Sequence, residues 1–230
     1  MTAIRILSTL AVMGAMKDLT VRYEAETGIS IQADFAPTVA LQERLRAGEA
    51  ADIAILTAQG IDDMVAGGTL RAGSRTDIAL SFVGIAVKAG APKPDIATVA
   101  ALRTALLAAR SVAYSKIGAS GIFFAGLLQR LGIADRVNAL VVPSGFTAER
   151  LVSNEADLAV QQVSELLVVP GIDVLGKLPD EIGTVATFSA GLLTASAQPD
   201  TAAALLRFLA SPGISAVLRR SGLEPANVTG

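Results

Sequence analysis

The side chains available for chemistry in this chain are limited by two absences: it has no histidine and no cysteine. Without histidine there is no imidazole base near neutral pH, no Ser-His-Asp triad and no ordinary zinc site. Without cysteine there is no disulfide, no thiolate nucleophile and no Cys-based metal site. Catalysis would have to come from carboxylates, Lys, Tyr, hydroxyls or backbone dipoles, and the chain offers no cofactor motif. What it does offer is a set of small hydroxyls, amides and glycines at similar structural positions. They are Ser8, Thr9 and Ala11; Thr38 after Pro37; Ser115, Lys116 and the GASG stretch with Ser120 and Gly121; Ser144 and Gly145; and Gln161 and Gln162. Such residues let neutral donors and backbone N–H groups converge on an anion, the more so where a helix begins.

Each of these residues also has a plainer reading. Ser, Thr and Gly are ordinary caps and turn residues, and Ser120 and Ser144 would serve to cap the helices that follow them. Lys116 is either a cation at the site or a solvated surface lysine. Glu165, in QQVSELL, is either a general base or a first-turn carboxylate that complements its helix dipole. Gln161 and Gln162 are neighbours on a strand end, so only one can face a ligand, and Gln162 is assigned that place. The NVT triplet at 227–229 matches a glycosylation pattern that chance accounts for.

The elements that must hold these residues alternate. IRILS (4–8) reads as a strand, and residues 12–28 as a helix whose Met13, Met16, Leu19 and Tyr23 recur at helical spacing, with Gly28 as its stop. ISIQADF (29–35) alternates as a strand does, VALQERLRAG is a helix closed by Gly48, and ADIAILT a buried strand. Similar units follow across residues 98–161, with helices over 98–109, 120–132 and 146–154. Two long extended runs, 78–90 and 183–195, bracket this middle third, and two helices end the chain. Strand–helix alternation predicts an α/β fold with mostly parallel sheets. In such sheets ligands bind beyond the C-terminal ends of the strands, where the residues above fall. The bracketing runs predict two lobes joined by two crossover strands: 1–80 with 190–230, and an inserted lobe over 81–189. A ligand cleft is expected between them, with hinges near 80 and 184.

The 230 residues are 52% hydrophobic and 17% charged, which predicts a compact fold; aromatics are 4%, so the core must be aliphatic. With a net charge of −2 and scattered cations there is no nucleic-acid footprint, and no apolar run suffices for a membrane span. The early stretch ILSTLAVMGAM is a poor signal peptide, because Ser8 and Thr9 interrupt it and one Arg precedes it. It reads instead as first strand, turn and helix start, which predicts a cytoplasmic protein as the chain stands and a periplasmic one if a leader has been removed.

Several longer stretches carry a family resemblance: AMKDL, DFAPTVALQERLRAGEAADIAI, GASGIFFAGLLQRLG, NEADLAVQQVSEL and RFLASPGISAVLRRSGLEP. Through them nearly the whole chain resembles the type II periplasmic binding proteins, in the branch of the molybdate-binding proteins that also includes aconitate isomerase. The resemblance implies a two-lobed α/β fold with mixed, mostly parallel sheets. It implies oxyanion contacts from serines after the first two strands, an inserted-lobe helix start and a late-strand tyrosine. Here Ala11 stands for the first serine, Thr38 is the nearest hydroxyl in APTVAL, and Gln162 stands for the tyrosine. Those departures argue against molybdate and for a small organic carboxylate. Two functions are therefore expected. One is binding without catalysis, with an ABC transporter as partner if the protein is exported. The other is a metal-independent isomerase moving an allylic proton, with Lys116 or Glu165 as the base.

Overall fold

The computed structural model describes residues 3–226, so the NVT triplet lies outside the described residues. The chain divides into two compact units: residues up to Ser81 together with those from Ala186 onward, and Phe82–Val185. Both divisions fall inside extended strands.

In the first unit the strands β1 (Ile4–Ser8), β2 (Ile31–Phe35) and β3 (Ile53–Thr57) run parallel in the order β2-β1-β3. The strand β9 (Val185–Leu192) adds antiparallel to β3 and neighbours β4 (Thr76–Lys88), whose first half also pairs with the short β10 (Glu224–Pro225). The helix α1 (Met13–Thr27) forms because Ala15, Met16, Leu19 and Tyr23 make one buried stripe. It stops at Gly28, whose φ of 70° suits a residue without a Cβ. That stripe, with Leu205 and Leu209 of α8 (Pro199–Leu209), packs on Ile4, Ile6, Ile53 and Ile55. On the other sheet face Leu7, Ala54 and Leu56 meet α2 (Thr38–Arg46) and α3 (Ala58–Ala66). Both faces are covered, which is why β3 reads as a continuous apolar run.

In the second unit β7 (Leu158–Gln162), β5 (Val112–Ser115) and β6 (Ala139–Val142) are parallel, while the second half of β4 runs antiparallel to both β7 and β8 (Ile172–Lys177). Large and small residues alternate along these strands. Ile85, Val112 and Val160 face α4 (Val99–Ala108) and α5 (Ala119–Arg130), whereas Ala86, Ala113 and Ala159 face α6 (Glu149–Val152) and α7 (Val163–Leu166). The smaller face leaves room for two single-turn helices set close to the sheet. The chain ends in α9 (Ser215–Arg220), a helix of two turns at most. Among the described residues no single helix is long and apolar enough to cross a membrane.

The helix expected over 146–154 is confined to Glu149–Val152. Thr147, ahead of it, is held by Gln161 rather than by a helical ladder, and Asn154, behind it, has a φ of 62°. Ser144 therefore caps no helix. Ser120 is likewise not a cap, since the position before α5 is Gly118 and Ser120 lies inside the first turn.

Candidate functional site

The C-terminal ends of the parallel strands gather the expected residues separately in each unit. In the first unit Ser8 is in register with Phe35 and Ile55, so the ends of β1, β2 and β3 are level. Ser8 is fully buried, and its hydroxyl reaches only the Thr9 carbonyl, at 3.2 Å. The Thr9 N–H donates to Ile55 O at 2.8 Å. Ala11 is 1% exposed and belongs to the apolar core, so its methyl has no surface to offer a ligand. The half-buried Thr38 opens α2, and its hydroxyl accepts from the Thr57 N–H at 3.4 Å. Thr57, a residue the sequence reading passed over, caps α3 by accepting from the Gly60 N–H at 3.2 Å. Its place directly before a helix was the available signal.

A cavity of about 780 Å³ in the first unit lies at the opposite ends of these strands, beside Ala3, Gln32 and Asp52. Its charged groups Asp52, Arg5 and Glu49 are engaged with protein partners. The buried Asp52 accepts from the Arg5 N–H, from Ser196 and from Gln198, and Arg5 pairs with Glu49.

In the second unit the turn between β5 and α5 is built by close approach. The Ser115 hydroxyl accepts from the Gly118 N–H at 2.9 Å, and the Lys116 N–H donates to Val142 O at 2.8 Å. A Cβ on Gly121 would lie 1.8 Å from the Ser115 carbonyl oxygen, and one on Gly118 would lie 2.8 Å from the Ser115 hydroxyl. The two glycines of GASG are thus what allows α5 to start against the end of β5. Ser120 is 1% exposed in that first turn. Lys116 is exposed and has no ion pair among the described residues. Ser144 and Gly145, also exposed, follow β6, with Gly145 at a φ of 81°.

The end of β7 carries the most constrained polar groups. Gln161 and Gln162 are each 2% exposed. The Gln161 carbonyl Oε1 accepts from the Thr147 N–H at 2.8 Å and from the Thr147 hydroxyl at 3.0 Å, tying the strand to the loop after β6. Thr147, fully buried, is a second residue the sequence reading missed; nothing in its local spacing distinguished it. The Gln162 Oε1 is buried without a hydrogen-bond partner among the described residues. Unpartnered buried amides are uncommon. Glu165, on α7, is buried, and burial pushes its carboxyl up to about 7; the Gln162 N–H and then the Gln161 amide hold it partly back. No metal-ligating cluster of three acidic side chains forms among the described residues.

At its strand ends the second unit thus carries an exposed ammonium, neutral hydroxyls and a helix start with two enforced glycines, and on α7 a buried carboxyl raised towards neutrality. Comparisons with known proteins place the chain. The family described as "Bacterial extracellular solute-binding protein" matches residues 4–224. This chain belongs to that family. A curated aconitate isomerase from a Pseudomonas species is 34% identical over 232 residues, covering 97% of this chain and 88% of that protein. The periplasmic molybdate-binding protein of Azotobacter vinelandii superposes with a TM-score of 0.82 at 16% identity, over 96% of this chain and 98% of that one. Peb3 from Campylobacter jejuni does so at 0.70 and 15%, over 96% and 99%. At such identities the two structures support the fold alone, which is the two-lobed type II periplasmic-binding-protein architecture.

Proposed function

We propose that this solute-binding-family protein binds a small organic carboxylate at the strand ends, with Lys116, Ser115, Ser120, Gly121, Ser144, Gly145 and Gln162 as its contacts in the second unit. The observation that carries this reading is Lys116, an unpaired ammonium one residue beyond β5 and three before the start of α5. A flexible point charge beside backbone N–H groups suits a carboxylate. Calorimetric titration with di- and tricarboxylates, molybdate, sulfate and phosphate tests it. A carboxylate should bind most tightly, and Lys116→Ala should weaken it at least about tenfold, the loss of one charge-assisted hydrogen bond. Molybdate as the sole ligand would overturn the reading.

A second reading has its own observation. Glu165 is a buried carboxyl whose proton affinity is raised to about 7, which suits a group that must both take and return a proton. With the full-length similarity to an aconitate isomerase, this supports an allylic proton shift on an unsaturated di- or tricarboxylate. Glu165 would remove a proton from the carbon next to one carboxylate, the double bond would move along by one position, and the proton would return at the far allylic carbon. Lys116 would stabilise the charge that builds on the carboxylate. Glu165→Gln should then keep binding and lose turnover by about a hundredfold or more. The binding reading goes with export and an ABC transporter as partner. The isomerase reading goes with a cytoplasmic enzyme, and cell fractionation separates the two.

A further inference from the structure

We infer that the second unit carries a further ligand site, a cavity at the end of its sheet away from Lys116, which takes a small monocarboxylate with a compact apolar body. The inference is independent of the carboxylate site proposed above and of the isomerase reading. The cavity, of about 440 Å³, is bounded by the end of β4 and the loop after it, the end of α4 and residues 154–158. Leu158 opens β7 and Gln162 closes it, so the length of that strand separates the two sites, about 13 Å at about 3.3 Å per residue. The space exists because its walls are small. Ala91, Ala105, Ala108, Ala109 and Ala156 line it, with the buried Leu151 and Leu158 among its other apolar residues. Pro92 and Pro94, whose φ is fixed, stiffen one edge.

The charges around this cavity are unequally matched. Three charged side chains line it, Lys88, Arg110 and Asp157. Arg110 is committed to Asp157: its Nη2 donates to Oδ1 at 2.9 Å and its main-chain N–H to Oδ2 at 2.8 Å. It also stands just beyond α4, where a cation offsets the partial negative charge of a helix end. The half-buried Lys88 has no carboxylate partner among the described residues. Its Nζ donates to Asn154 Oδ1 at 2.7 Å and to Val152 O at 3.3 Å, which leaves one of three ammonium donors unused. Asn154 is itself set by the backbone, at a φ of 62°, the one positive φ of a non-glycine residue among the described residues. One unmatched ammonium beside apolar walls selects one negative charge. A carboxylate accepts the third N–H, and the alanine-lined space takes the hydrocarbon part. A di- or tricarboxylate would place a second charge against apolar walls with no partner, which is unfavourable.

The test is amide NMR of the full chain with benzoate as the probe. Benzyl alcohol, which has the ring without the charge, and sulfate, which has charge without an apolar body, are the controls. Benzoate should shift the Val87, Ala91 and Leu151 signals to saturation, and Lys116→Ala should leave its affinity for this cavity unchanged. Lys88→Met, which keeps the stem and removes the ammonium, should weaken it at least about tenfold. Ala108→Leu narrows the cavity with Lys88 in place and should also weaken it; it serves if Lys88→Met does not fold. No saturable shift with benzoate, or equal shifts with benzyl alcohol or sulfate, overturns the inference. So does benzoate binding that is lost in Lys116→Ala and kept in Lys88→Met, which would put the probe at the opposite strand ends and leave the proposed function standing.

Discussion

Glu165 shows how one side chain can tie stability to pH. Its carboxyl titrates near 4.5 when solvated and at about 7 in the fold, because burial disfavours the charge. Between those values the folded state holds a proton that the unfolded state has released, so stability falls as pH rises through the interval. The cost is complete above pH 7 and amounts to about 3 kcal/mol. Glu165→Gln, which cannot ionise, should be more stable than the parent at pH 8 by a similar amount and nearly equal to it at pH 4.5. Urea unfolding at the two pH values measures this. Gly121 gives a second prediction at this scale. A methyl there would overlap the Ser115 carbonyl, and every atom it meets is Ser115 backbone, which cannot yield as a flexible side chain would. Gly121→Ala should cost about 3 kcal/mol and disturb the Lys116 turn. Gly126→Ala, five residues along the same helix, meets only the tip of Arg130 at 3.6 Å and should stabilise by up to about 1 kcal/mol. Opposite signs from one substitution type on one helix would show that the turn, not helix propensity, fixes Gly121.

At the scale of elements, three helix starts are held by side chains that precede them. Thr57 caps α3 and Thr98 caps α4, the latter accepting from the Ala101 N–H at 3.1 Å. Replacing either by Ala should cost about 1 kcal/mol in thermal or denaturant unfolding. The α5 helix has no such side chain at Gly118 and relies on Ser115. Much of this was legible in the sequence. The stripe of α1 with its Gly28 stop, the apolar runs of β3 and β4, and the residues at each strand end follow from local periodicity. Two features were not legible. Thr147 and Gln161 meet across 14 positions, and spacing alone cannot show that a threonine in one loop orients an amide on a strand two elements on. The short α6 was overextended for the same reason, since its start is limited by that tertiary contact rather than by its own residues. Ala11 was placed by its position after β1; only packing shows its methyl in the core.

For the whole molecule, the family is that of the bacterial extracellular solute-binding proteins, and the chemical character of the proposed site comes from its charge. Lys116 adds a full charge beside the α5 start. A ligand that binds only the folded state stabilises it by about 2.7 kcal/mol at a hundred times its Kd, so the ligand class can be read from unfolding before any affinity is refined. The measurement that tests the central claim most directly is a calorimetric competition at neutral pH between an unsaturated tricarboxylate such as aconitate and molybdate, on the parent protein and on Lys116→Ala. The account predicts heat and saturation with the tricarboxylate, no displacement by molybdate, and at least a tenfold loss in the variant. Tight molybdate binding that displaces the tricarboxylate and is unaffected by Lys116→Ala would contradict it.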